Sequence, residues 1–139
     1  MEFKLSRTSK KNIKDIDKRL IKLVDRVLAK SEIDFGIPGY GGKRTAQEQN
    51  NLFHIRPSVT QIDGFKTTSY HQTGKAFDIF VYDEHGACWD CIEKYVSLSN
   101  LFKEEFLIMQ NENIFEEQEK LQWGGDWTRF KDLPHFQLV

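Results

Sequence analysis

The sequence predicts an α+β fold, a small antiparallel sheet with flanking helices, and three observations lead to it. Apolar residues recur at helical spacing near the N-terminus, an alternating apolar run occupies 76–83, and two short β-rich segments close the chain around a loop of Gly, Trp and Asp. With 139 residues the chain has the size of one domain, so 1–139 is expected to form a single unit around its own core.

Ile13, Ile16, Leu20, Leu23, Val24, Val27 and Leu28 stand three and four apart, which predicts one helix of about eighteen residues with Ser9 as its start signal. IDFGIPGYGG, residues 33–42, reads as a short strand leaving through a Gly/Pro turn. In TAQEQNNLF, Thr45 and Glu48 have the spacing of a capping box before a second helix, which puts Arg44 at a strand-to-helix junction where a long cation can reach into a cleft. Residues 54–75, with Pro57, Gly64 and Gly74, show no helical period and read as a long loop of the functional kind. AFDIFVYD, residues 76–83, is a buried strand in which Asp78 shares a face with apolar neighbours and therefore needs a cation, a metal or several donors. A third helix is expected from about Trp89 to Gln110, followed by NENIFEEQEK as a surface excursion. LQW and HFQLV are read as the strands of a hairpin packed by Trp123 and Trp127, with a cleft as the alternative place for Trp127.

Composition excludes several classes. Hydrophobic residues make up 39% and charged residues 29%, as in ordinary folded proteins, so disorder is not expected. A net charge of −1 gives no overall reason for nucleic-acid binding, although Lys and Arg dominate the first 44 residues and acids dominate 104–119. These runs read as solvated helix faces, with approach to a polyanionic surface as the alternative. No apolar run is long enough for membrane insertion, and MEFKLSRTSKKNIK lacks a secretory h-region, so synthesis in the cytoplasm without a signal peptide is the expectation. Cys88 and Cys91 form CWDC, a spacing shared by redox pairs and half zinc sites. No second ligand pair follows at short spacing; His85 lies close enough for a three-ligand cluster as the alternative, and two reduced thiols at a helix start are expected. His54 and His85 are read as surface or supporting residues.

The reactive residues lie elsewhere. Catalytic zinc takes three side chains from His, Asp, Glu or Cys and leaves a fourth position open. His71 and Asp78 can supply two if the chain bends at Gly74, and His135 in DLPHFQ is the best third. Asp132, three residues before it, would stand beside the metal as a general base. Taken alone, His135 also reads as a hydrogen-bonded, partly buried imidazole, and Asp78 as a turn-capping carboxylate.

Ser69-x-His71-x-x-Gly74-x-Ala76-x-Asp78, followed at a distance by His135, resembles the zinc signature of the D-alanyl-D-alanine carboxypeptidase and dipeptidase family, which includes phage endolysins that are L-alanyl-D-glutamate peptidases. WGGDWTRFKDLPHFQ is most similar to the endolysin branch, and KRTAQEQNNLF to the family's junction before a helix carrying Glu-Gln. The resemblance implies a zinc site in a cleft on the sheet, with His71, Asp78 and His135 as ligands to Zn2+ and Asp132 as base. It implies Arg44 and Ser69 as substrate-binding residues and 1–139 as a single zinc peptidase catalytic domain with no separate cell-wall-binding domain. The implied partner is a peptidoglycan stem peptide, met by a monomer acting on the wall after release through a phage holin-type lesion. D,D-carboxypeptidase activity, a non-catalytic zinc-stabilised wall-binding module and a thiol-redox module centred on CWDC are the alternatives. Two departures stand out: GYGGKRT is looser than the usual junction, and the segment from Cys88 to Lys120 is longer than usual, enough to reshape one cleft wall.

Overall fold

The computed structural model describes residues 2–55 and 60–139. Helix α1 (Arg7–Ile13) and helix α2 (Lys18–Lys30) lead into strand β1 (Phe35–Gly36) and helix α3 (Ala46–Ile55). A 3-10 turn, Tyr70–Thr73, precedes β2 (Ala76–Asp78), β3 (Phe80–Asp83) and β4 (Gly86–Cys88). Helix α4 (Ile92–Asn111), β5 (Leu121–Trp123), a second 3-10 turn (Gly124–Asp126) and β6 (His135–Leu138) complete the order.

The expected single N-terminal helix is two. Its apolar stripe continues across the break, with Ile13, Ile16 and Leu20 all buried. Asp17 interrupts the backbone because its carboxylate accepts from the Arg19 N–H and caps α2. Helix α1 starts one turn before Ser9, at an N-cap made by Ser6. Ser9 is instead buried, and its hydroxyl accepts from the Ile37 N–H at 2.9 Å, tying α1 to the segment after β1.

In place of one small sheet there are two antiparallel sheets of three strands, ordered β1-β3-β4 and β2-β6-β5. The strand expected over 76–83 divides between them at Ile79. Up to Asp78 it pairs with β6, whereas the Ile79 N–H donates to Pro134 O and Phe80 onward pairs with β1 and β4. Strand β4 was not anticipated; Gly86, at φ 110°, turns the chain back into it. The closing hairpin is present as β5 against β6, with Trp123 opposite Phe136.

Helix α4 joins the sheets. Its Phe102 ring lies 5.6 Å from Phe35 of β1, 5.5 Å from Phe77 of β2 and 4.5 Å from Phe136 of β6. Leu20, Leu23, Val27 and Leu28 of α2 are fully buried in the same core. Such rings bury on the order of 150–250 Å² each, so one aromatic cluster carries much of the apolar driving force.

The opposite charges of the N-terminal helices and the 104–119 region largely meet each other. Arg26 and Lys30 reach Glu105, which is only 1% exposed, Arg26 also reaches Glu112, and Arg19 pairs with Glu119. NENIFEEQEK is accordingly more than a surface excursion: Phe115 is buried beneath Arg19, and Gln110 donates to the carbonyls of Glu116 and Glu119.

Asp17 links this scaffold to the segment bearing His71. Its backbone N–H donates to Gly74 O at 2.8 Å and its carboxylate pairs with Lys75 and Arg19. Burial raises the Asp17 carboxyl, but the hydrogen bonds from Arg19 and Lys75 outweigh it and hold the pKa well below the ordinary value. The ionised form is thus favoured by folding: its contribution is complete above the unfolded value of about 4 and is lost as pH falls below it. Asp17→Ala is expected to cost about 1–3 kcal/mol at pH 7 in urea denaturation, through loss of the cap and the charged hydrogen bonds. The difference from the wild type should shrink below about pH 4.

Candidate active site

Local structure places each of the residues singled out above. Ser69 caps the 3-10 turn: its hydroxyl accepts from the His71 N–H at 3.2 Å, and Gln72 reaches back to the Ser69 N–H. Gly74 ends the turn at φ 72°, the left-handed conformation that suits glycine, and sends the chain into β2. His71 therefore stands at the head of the strand that ends in Asp78. Asp78 in turn lies directly across the β2–β6 ladder from His135. A one-residue slip of this ladder would put the two side chains on opposite faces.

The three side chains converge. His71 Nε2 is 3.2 Å from His135 Nδ1 and 3.3 Å from Asp78 Oδ1, and His135 Nδ1 is 3.0 Å from Asp78 Oδ1. The far nitrogens are held by oxygen acceptors: His71 Nδ1 lies 2.8 Å from Gly42 O, and His135 Nε2 lies 2.8 Å from Gln137 Oε1, whose amide nitrogen donates to Gln122. A carbonyl oxygen only accepts, so the outer nitrogens carry the hydrogens and both inner lone pairs face the Asp78 carboxylate. Three acceptors gathered in this way attract positive charge. Burial pushes the His135 imidazole down, yet the hydrogen bond that its protonated form donates to Asp78 prevails and raises its pKa, whereas burial keeps His71 below its ordinary value.

Arg44 holds the other side of Asp78. Its guanidinium donates to Asp78 Oδ2 at 3.0 Å, to Tyr40 O at 2.6 Å and to Gln49 Oε1 at 2.9 Å. Only 7% exposed, it still borders the cleft, but its donors chiefly orient the carboxylate. Ser69, buried and also at the cleft, uses its hydroxyl as the cap. Asp132 comes from the β5–β6 loop. Its N–H donates to Gly124 O at 3.0 Å, its carbonyl accepts from the His135 N–H at 3.1 Å, and its side chain faces the cleft. Burial, and then the charge of Asp78, push its carboxyl up to about 6 against the opposing pull of His135 and Arg44.

These groups form the floor of an open cleft of about 760 Å³. Trp127 stands on one side with its ring 5.3 Å from that of His135, while Trp123 is buried and donates its indole N–H to Leu133 O.

A family model for phage L-alanyl-D-glutamate peptidases matches residues 1–137. The chain belongs to that family. It is 32% identical over 106 residues to the peptidoglycan L-alanyl-D-glutamate endopeptidase CwlK of Bacillus subtilis, a match covering 70% of this chain and 58% of that protein. The crystal structure of the Serratia marcescens L-Ala D-Glu endopeptidase ChiX superposes with a TM-score of 0.74 at 23% identity, over 100% of this chain and 90% of that one, and so shares its fold.

Set against that family, GYGGKRT is a structural part of the site. Gly41 O accepts from the Asp78 N–H, and Gly42, whose carbonyl holds His71, lies so close to α1 that a Cβ there would stand 2.0 Å from Asn12 O. Gln49 went unrecognised as part of the site. Fully buried, it donates to Thr60 and Ile62 O while accepting from Arg44, joining α3 to the chain that returns toward His71. Gln137 was missed as well. The loop expected over 54–75 contains the Tyr70–Thr73 turn, and its Pro57 lies outside the described residues. Cys88 and Cys91 are paired with each other, contrary to the expected free thiols, because the tight entry into α4 brings their Cα atoms to 5.9 Å. From the long segment after Cys88 it is Trp89 that reaches the cleft, while α4 packs on the core. His54 and His85 are exposed.

Gly124 permits the close approach of Asp132. A Cβ there would lie 2.2 Å from Asp132 O and 3.0 Å from its Cβ, so Gly124→Ala must displace the loop. The expected cost is about 1–3 kcal/mol in thermal or urea denaturation. Gly39→Ala, whose Cβ would meet nothing within 4 Å, should leave the midpoint nearly unchanged.

Proposed function

We propose that this chain hydrolyses the L-alanyl-D-glutamate bond of peptidoglycan stem peptides as a zinc peptidase, with His71, Asp78 and His135 holding the ion and Asp132 acting as base. The observation that carries this reading is the buried triangle of two imidazole lone pairs and a carboxylate oxygen beside Asp132, in a chain matched by the family over residues 1–137. Tetrahedral zinc with bonds of about 2.0–2.1 Å has ligand-to-ligand edges of roughly 3.3–3.4 Å. The triangle, with edges of 3.0, 3.2 and 3.3 Å, fits with a few tenths of an ångström of adjustment. Cell-wall action also agrees with what CwlK and ChiX are named for.

When bound, the ion supplies a Lewis acid for the scissile carbonyl and acidifies a water toward neutrality. The chain's own groups do the rest. Asp132 accepts a proton from the attacking water and delivers it to the departing amine nitrogen. Its raised affinity for protons suits both steps, because a base near the working pH gives the proton back readily. Arg44 keeps Asp78 ionised and aimed, and the acceptors at Gly42 and Gln137 keep each imidazole in the tautomer that presents its lone pair inward. Lys131, exposed at the cleft mouth, leaves one cation available to a substrate carboxylate.

The test is release of new amino groups from purified peptidoglycan, with bound zinc quantified in the same samples. The wild type should expose D-glutamate N-termini, and Asp132→Asn should retain about one zinc while losing roughly 10²–10⁴-fold in rate. Zinc retained with no cleavage by either protein would favour a binding module, and absence of zinc from the wild type would refute the metal site. Release of free D-alanine in place of new D-glutamate N-termini would indicate a D,D-carboxypeptidase.

Because Asp132 works as the anion, wild-type kcat/KM should fall as the pH drops through its pKa. An acid limb at or below about pH 6 is expected, since a nearby dication pulls the pKa down from its value in the metal-free protein. Chelation should abolish activity across the whole pH range, and added zinc should restore it.

A further inference from the structure

Among the described residues, three non-glycine positions have clearly positive φ: Tyr40 at 62°, Asn113 at 63° and Phe130 at 48°. Asparagine tolerates this conformation, but a bulky aromatic side chain is uncommon there and strained. Core burial does not account for either ring. Tyr40 is 53% exposed and Phe130 is half-buried, and both line the cleft above the triad. The backbone of Tyr40 has a task, since its carbonyl accepts from Arg44, but that task needs no phenol. Tyr40 comes from the β1–α3 loop and Phe130 from the β5–β6 loop, so two separate segments place aromatic rings on one cavity under strain. Tyr70, Trp89 and Trp127 border the same cavity, and the first two are also exposed. The cleft, at about 760 Å³, has room for a ligand larger than the two residues flanking a scissile bond.

The substrate proposed above suggests what fills it. The L-alanyl amine of a stem peptide is joined to the lactyl group of a muramyl sugar, so the cleaved bond lies one residue from an N-acetylated pyranose. The C–H faces of such a ring are apolar and pack on aromatic faces, while its hydroxyl and acetamide edges take hydrogen bonds from phenol and indole groups. We propose that Tyr40 and Phe130, with the neighbouring cleft tryptophans, form a subsite for the muramyl sugar, so that the enzyme prefers glycan-linked stem peptide to free peptide. This rests on the L-alanyl-D-glutamate reading of the site.

The experiment compares kcat/KM for a muramyl tripeptide with that for the N-acetylated tripeptide of the same sequence. It uses the zinc-loaded wild type, Tyr40→Asn, Phe130→Asn and Tyr40→Phe. Asparagine accepts the left-handed backbone, so the fold and the carbonyl contact to Arg44 are retained while the ring is removed. The wild type should prefer the sugar-linked substrate by about tenfold or more, the size expected of two stacked rings. Each Asn variant should bring that ratio toward one, mainly through KM for the muramyl substrate, with Tm unchanged or raised. Tyr40→Phe should keep the preference. Equal cleavage of both substrates by the wild type would overturn the subsite and leave the peptidase standing, whereas cleavage of neither would remove the peptidase reading itself. A preference that survives in both Asn variants, or a lower Tm with the ratio intact, would show that the rings serve packing.

Discussion

The ionised carboxylate of Asp78 is the constraint around which the site is organised. A buried carboxylate without partners costs several kcal/mol, so it persists only where the fold supplies compensating charge and donors. Here Arg44 takes one oxygen, both imidazoles approach the other, and the Gly41 carbonyl accepts from the Asp78 backbone N–H. The resulting balance holds the Asp78 pKa well below the ordinary value: burial opposes ionisation, and the charge and hydrogen bonds of the two histidines in their protonated forms overcome it. Those partners come from the 37–44 loop, the 69–74 turn and β6. Satisfying one side chain therefore fixes three otherwise separate segments relative to one another.

That requirement explains why irregular backbone is concentrated on one side of the molecule. The far side is regular, with α2 on α4 and the Phe102 cluster between them and the sheets. On the cleft side the chain uses glycines at close approaches, short 3-10 turns and a strand divided at Ile79. The division lets one eight-residue stretch present Asp78 to β6 and then hand its remaining hydrogen bonds to another sheet. Ile79 still donates its N–H to Pro134 O in the register of the β2–β6 ladder, but Pro134 has no N–H to return, so that ladder ends there and the chain is free to pair elsewhere. Asp132 depends on the same economy of space, because Gly124 lets its backbone sit close by and so holds it in the loop leading to His135.

How much of this could be read in advance follows from which atoms do the work. That His71, Asp78 and His135 would converge, with Asp132 on the same cleft, was legible from the residue types and from the Gly74 bend between the first two. The helical stripe and the closing hairpin were legible from periodicity. The break at Asp17 was not, since the apolar pattern runs through it undisturbed while the carboxylate competes for the backbone N–H. Gly41 and Gly42 looked like a loose junction because their contribution is carbonyl oxygen, which any residue possesses; only the proximity of Pro38 and Asn12 selects glycine. Gln49 and Gln137 were hidden for a related reason: a neutral amide becomes informative only when one end is seen to hold Arg44 or His135 and the other a neighbouring segment. The Cys88–Cys91 pairing depended on a turn whose closeness the spacing alone did not reveal.

Rigidity and strain divide the cleft into two parts with different physical demands. Around the triad every polar side chain is satisfied: among the described residues no buried side-chain nitrogen or oxygen lacks a partner. Such a network holds its geometry within narrow limits because moving one member strands another. At the mouth the reverse holds, for Tyr40 and Phe130 occupy an unfavourable backbone region and gain little burial there. Stability by itself would favour Asn or Gly at both positions, so the aromatic side chains are best explained by what enters the cleft. The metal peptidase proposed above, acting on a bulky polymer, needs both regimes, a locked floor and a rim whose rings stay exposed until a ligand covers them.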